Sequence, residues 1–190
     1  MKRFLALFLV AFLGSCGSGV ESPPSSVSNA CVMKRERPHW FSALERNERR
    51  WGVPVHVQLA TIWQESKFVG DARPPHKYAL GFIPMGRRSS ALGYSQALDG
   101  TWDEYVQQAG RRGASRTRFS DAIDFMGWYM DRTERINGIP KWDAYNQYLA
   151  YHEGNTGFRN KSYLRKSWLP PVARGVAAQA VNYELQLRSC

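Results

Sequence analysis

Pro54-Val55-His56-Val57-Gln58-Leu59-Ala60-Thr61-Ile62-Trp63-Gln64-Glu65-Ser66-Lys67 decides the fold class. Proline fixes φ near the helical value and lacks an N–H that the first turn would leave unbonded, so Pro54 suits a helix start. Val55, Leu59, Ile62 and Trp63 recur at helical spacing as an apolar stripe, and Ala60 permits close packing. The helix reads from Val55 to Lys67, with a carboxylate, Glu65, in its last turn.

The same period continues on both sides. Trp40, Phe41, Leu44 and Trp51 alternate with Glu45, Arg46, Glu48 and Arg49, which gives an amphipathic helix from Pro38 that ends at Gly52. Residues 69–91 hold Gly70, Pro74, Pro75, Gly81, Pro84 and Gly86, a long irregular stretch of the kind that carries function. Thr101-Trp102-Asp103-Glu104 reads as a capping box opening a third helix. Ser120-Asp121 reads as the cap of a fourth, running through Ile123, Met126, Tyr129 and Met130 to Gly138. Trp142 to Glu153 makes a fifth, closed by Gly154. A last helix after Pro170-Pro171 carries Val172, Val176, Ala180, Tyr183 and Leu187 on one face. The class is all-α, with one long loop that has room for a short hairpin.

The N-terminus reads as an address. Lys2 and Arg3 precede ten apolar residues, Phe4 to Leu13, too few to span a bilayer but suited to a signal peptide. Leu13-Gly14-Ser15-Cys16 resembles a bacterial lipobox, which implies a signal peptide over 1–15 and lipidation of Cys16. Gly17 after that Cys, with no Asp there, resembles outer-membrane sorting, so the expected location is the periplasmic face of the outer membrane. Nine of the thirteen residues from Gly17 to Asn29 are Gly, Ser or Pro, which points to a flexible tether. The expected organisation is a lipidated Cys and tether over 16–37 and one domain over 38–190. Cys31 and Cys190 remain, and two leftover Cys in an oxidising compartment are expected to pair. Such a bridge contributes about 5 kcal/mol at most in the chain-entropy model.

The 190 residues are 43% hydrophobic and 22% charged, so the chain is globular rather than disordered. Three Cys are too few for a disulfide scaffold. The net charge of +10 points to an anionic partner. A secreted chain does not meet nucleic acid, so a basic polymer-binding role turns toward the cell envelope. Arg111-Arg112-Gly113-Ala114-Ser115-Arg116-Thr117-Arg118 is the densest basic run. It reads as a solvated loop, or else as a contact for peptide-stem carboxylates or anionic lipid. His39, His56, His76 and His152 show no metal-ligand spacing, and no metal or other cofactor is expected.

Glu65 stands at the negative pole of an apolar helix, beside Trp63. Dipole and desolvation both disfavour its charged form, as a general acid near neutral pH requires. Two further segments join it: Gly93-Tyr94-Ser95-Gln96 at the end of the long loop, and Ala150-Tyr151-His152-Glu153-Gly154 at the end of the fifth helix. With Glu65-Ser66 they resemble, in order and helical context, the three motifs of the soluble-lytic-transglycosylase-type domain, family 23 of the glycoside hydrolases. The second motif departs from Gly-Leu-Met-Gln at Tyr94-Ser95, which implies a more polar cleft floor. The third departs from Ala-Tyr-Asn-x-Gly at His152.

The resemblance covers about residues 38–187 and implies a lysozyme-like helical fold. It implies cleavage of the MurNAc–GlcNAc β-1,4 bond of peptidoglycan, with formation of a 1,6-anhydromuramoyl end. Glu65 would be the single acid and base, and Ser66, Gln96 and Tyr151 would orient it and bind sugar. The implied partners are glycan strands and, through Cys16, a membrane. Two other readings stay open. A goose-lysozyme-like muramidase would need a second carboxylate from Asp71, Asp99 or Glu153. A non-catalytic peptidoglycan-binding lipoprotein would need none.

Overall fold

The computed structural model describes residues 20–190, and the proposed signal peptide and Cys16 lie outside them. At the centre stands α3 (Val55–Ser66), packed against α2 (Pro38–Trp51), α5 (Phe119–Asn137), α6 (Ala144–Arg159) and α7 (Leu169–Leu187). Its buried residues run consecutively from Val57 to Ile62, so it is enclosed on every side. The one-sided stripe read from the sequence is too narrow, and its outer members Val55 and Trp63 are only half-buried. Enclosure puts two polar residues inside, and both are bonded. Gln58 donates to Leu44 O (3.2 Å) and Val53 O (2.7 Å) and accepts from Asn47 (3.0 Å); Thr61 donates to Val57 O (2.9 Å).

α2 opens with Pro38 in its first turn and ends where Gly52 takes φ 73°, its N–H returning to Glu48 O. Trp40 stacks on Phe119 at 4.1 Å between ring centres and also packs on Phe68 and Tyr94. That aromatic group pins the start and the end of the long loop to the helices. Between those pins the loop forms an antiparallel hairpin, β1 (His76–Ala79) and β2 (Ile83–Arg87). Tyr94 is fully buried there, so it belongs to the core and not to a cleft floor.

Two expected caps are displaced. α4 (Asp99–Gln108) begins before Thr101, with Leu98 at its N-cap. α5 begins at Phe119, with Arg118 at its N-cap. Asp121 instead accepts from Ser115 N (2.9 Å) and pairs with Arg118 (2.6 Å) and Arg111 (3.5 Å). Asp124 takes Arg50, Arg111, Trp51 and the Tyr105 hydroxyl. Arg116 pairs with Asp99 at 2.7 Å and bonds Ser90 O and Ala97 O. Arg111 and Arg118 therefore tie the 109–118 turn to the buried Asp121 and Asp124, and Arg116 ties it to the exposed Asp99, so these three do not stand as a free polymer-binding loop.

The tether expected through residue 37 is corrected. A helix, α1 (Ala30–Glu36), lies within it, capped by the Asn29 side chain, and buries Ala30 and Met33. Ahead of it Glu21 pairs with Arg37 and His39, Ser25 bonds Glu36, and the Tyr183 hydroxyl donates to Val27 O. A Gly/Ser/Pro-rich stretch needs only a few such anchors to lie down on a core. Cys31 and Cys190 are bonded across 159 residues, their Cα atoms 5.8 Å apart, joining α1 to the end of α7. The described residues thus hold a complete core and their own crosslink.

Candidate active site

Glu65 occupies the last turn of α3, and Lys67 ends the helix in the left-handed region at φ 51°. A carboxyl there follows a helix whose preceding turns are enclosed, so burial pushes its pKa up to about 7. Two groups oppose the rise: the Tyr148 hydroxyl, which approaches it from α6 and favours the carboxylate, and the nearby Lys67 ammonium. Lys67 is itself drawn over the Trp63 ring, 3.2 Å from its centre, and burial lowers its own pKa. Glu65 as a whole residue is half-buried.

α6 supplies the facing wall. Tyr148 and Tyr151 sit one turn apart on it, so both reach toward the end of α3. Tyr151 donates to Ser95 O at 2.7 Å, and burial together with the Glu65 charge keeps its hydroxyl protonated. α6 is then broken at Gly154, where φ 77° and ψ 156° define a conformation that in practice only glycine adopts. The break brings His152 and Glu153 to the rim.

Gly93 begins the second motif under a different constraint. A Cβ on it would fall 2.1 Å from Arg116 O, so the residue must be glycine for the loop to close. Gln96, at φ 49°, donates to Ala72 O (2.9 Å) and Gly93 O (2.8 Å). Both amide hydrogens are thereby engaged, which leaves Oε1 as the group of this side chain able to accept a further hydrogen bond. Gln96, Tyr129, Tyr151, His152, Glu153 and Gly154 line a cavity of about 200 Å³. Glu65 does not line it directly; Tyr151 stands between, touching the cavity and sensing the Glu65 charge.

Three of the four residues expected in the site, Glu65, Gln96 and Tyr151, are brought to this region. Ser66 is not. It is 7% exposed and its hydroxyl turns back to Ile62 O (3.4 Å), so it closes the helix instead of facing a sugar. Sequence reasoning missed Tyr148 and Lys67. Tyr148 lies three residues before Tyr151, a spacing that shares one helix face and was the available signal.

Of the other candidate carboxylates two are paired and one is exposed. Glu153, with a side chain only 3% exposed, pairs with Lys166 (2.5 Å) and His152 (3.0 Å) and accepts from Ser162. Burial alone would raise its pKa, but these partners hold it down at about 2. Asp99 is paired with Arg116, and Asp71 is exposed. Among the described residues no group of three His, Cys, Asp or Glu could hold a metal. A family model described as Transglycosylase SLT domain matches residues 4–190, and no curated protein matches the chain.

Proposed function

The chain belongs to the transglycosylase SLT domain family, and from that premise we propose that it is a peptidoglycan lytic transglycosylase acting through Glu65. The observation that carries the reading is a carboxyl whose pKa burial raises to about 7, set at the end of α3 against Tyr148 and Tyr151 of α6, the second of which lines the Gln96–Tyr151 cavity. Such a group is protonated at the start of a turnover near neutral pH and a competent base after it.

In the proposed cycle the Glu65 proton goes to the glycosidic oxygen, and the bond from MurNAc C1 to that oxygen breaks. The MurNAc 6-hydroxyl attacks C1, and its proton passes to the Glu65 carboxylate, which restores the acid. The nucleophile belongs to the substrate, so no second carboxylate and no captured water are needed. The engaged state of Glu153 favours this single-carboxylate cycle over hydrolysis, because a carboxylate held at about 2 is a poor base. Gln96 and Tyr151 position the sugar. The lipobox reading places the enzyme on the periplasmic face of the outer membrane, anchored through Cys16 after removal of residues 1–15.

Digestion of purified sacculi, followed by mass spectrometry, tests the proposal. Anhydro-muropeptides are expected from the wild type and none from Glu65→Gln. Products heavier by one water would mean hydrolysis, and undiminished product from the variant would remove Glu65 from the role.

A further inference from the structure

The β1–β2 hairpin is built in reverse of a soluble loop. Its tip is apolar: Leu80 is 82% and Phe82 72% exposed, with Tyr78, Ile83 and Met85 also in solvent. Among the described residues, nothing covers either face of the ribbon. The tip turn is closed by Phe82 N to Ala79 O (3.2 Å), with φ 51° at Leu80 and 82° at Gly81. A turn with two positive φ values favours Asn, Asp or Gly, yet here the first place holds a leucine. An apolar side chain is thus held at the apex against local backbone preference.

The base of the hairpin is cationic. No acid occurs between Asp71 and Asp99, a stretch that carries Arg73, Lys77, Arg87 and Arg88. Among the described residues none of these four is paired with a carboxylate; Arg87 bonds only Pro74 O, at 2.7 Å. A cavity of about 450 Å³ lies at the base, lined by Arg73, Arg87, Ser89, Ser90 and the Asp99–Arg116 pair.

From the tip downward the order is apolar, then cationic, with a polar cavity behind. That is the depth order of a bilayer met from outside, acyl chains beyond phosphates. Both faces of the tip are apolar, which suits a medium that surrounds it and not a partner that covers one side. Strand addition by another chain is disfavoured as well, since Pro84 lacks an N–H and the register slips between His76 and Tyr78. We infer that the hairpin is a membrane-docking element, inserting Leu80 and Phe82 into an anionic phospholipid surface while Arg73, Lys77, Arg87 and Arg88 meet the phosphates. This contact would act beside any acyl chain on Cys16.

The test uses residues 20–190, which carry a complete core and the Cys31–Cys190 bond. The protein is sedimented with vesicles of phosphatidylethanolamine and phosphatidylglycerol, and with vesicles of phosphatidylcholine alone. Partition onto the anionic vesicles is expected. It should fall at least about tenfold in Leu80→Ser/Phe82→Ser and in Arg87→Glu/Arg88→Glu, with melting temperatures unchanged. In Phe82→Trp, lipids brominated on their acyl chains should quench the added tryptophan.

Undiminished partition of the serine variant would mean that bulk charge, not the hairpin, holds the protein, and overturns the proposal. So does a wild type that ignores anionic vesicles. A wild-type dimer that the serine variant dissolves would make a second copy the occupant. Loss of binding to sacculi alone would assign the ribbon to glycan. Either result overturns docking to lipid.

Discussion

Two glutamates close neighbouring helical segments, and their surroundings drive them apart. Glu65 ends α3 and its pKa is pushed up to about 7; Glu153 precedes the break in α6 and is held at about 2. Burial raises both. The difference lies in what else is present. Glu65 has a neutral phenol and one cation that is drawn over Trp63. Glu153 has an ammonium, a hydroxyl and an imidazole all bonded to its two oxygens. Enclosure alone thus yields an acid, and enclosure with a full set of donors yields a fixed anion.

Replacing each glutamate by glutamine should separate the two roles, and the largest effect falls on turnover. Glu65→Gln should lower glycan cleavage by about a thousandfold or more, since the proposed cycle runs on that one carboxyl and the carboxylate lining the cavity, Glu153, is held as an anion. Stability should move the other way. A carboxyl whose folded pKa exceeds its unfolded value opposes folding once pH rises past the unfolded pKa, and that cost is complete above the folded one. Glu65→Gln should therefore stabilise the fold by about 1–3 kcal/mol above pH 8 and change nothing near pH 4. Urea unfolding at the two pH values checks this.

Glu153→Gln should do the reverse. Its folded pKa is depressed, so its contribution is present above the unfolded pKa and fades as pH falls toward 2. The variant should lose about 2 kcal/mol at pH 7, a figure reduced because Lys166 is partly in solvent, and the loss should shrink below about pH 4.5. A stabilising Glu153→Gln, or a destabilising Glu65→Gln at pH 8, would break the comparison.

One side of this comparison was legible in the sequence and the other was not. Glu65 could be found because its signal is local: an apolar helix, its polar end, and two motifs in order. The boundaries of α2 and α7 were legible for the same reason, since Gly52 and Pro170-Pro171 act on their own turns. The state of Glu153 was hidden because Ser162 and Lys166 return to it only through the turn after the kink. Tyr94 was misplaced likewise: its partners Trp40 and Phe119 lie far away in sequence, so a motif position became a core position. Ser66 shows that a residue next to an acid on a helix points elsewhere, about 100° round. α1 was missed because the tether read from the composition of 17–29 was carried on to residue 37, while Asn29, Met33 and the Cys31 bridge decide it.

The two groups that restrain Glu65 can be removed singly. Tyr148→Phe removes a hydroxyl that favours the carboxylate, so the Glu65 pKa should climb. In the proposed cycle the protonated form acts, so the alkaline limb of kcat/KM should move up by about half to one pH unit. A limb that stays in place would mean that the phenol only packs.

The smallest effect belongs to Lys67. Its charge lowers the Glu65 pKa, but the side chain is exposed and solvent screens it. Lys67→Met keeps the length of the side chain and the same steric demand at φ 51°, so helix termination should survive. What disappears is the cation. The alkaline limb should again move up, by about 0.3 pH unit at low salt, and the shift should vanish as salt rises. Salt dependence separates the two variants, since the Tyr148 phenol is neutral and buried while Lys67 is charged and exposed. A salt-insensitive shift in Lys67→Met would mean that the ammonium reaches the carboxyl directly, and Glu65 would then resemble Glu153 more closely than its raised pKa implies.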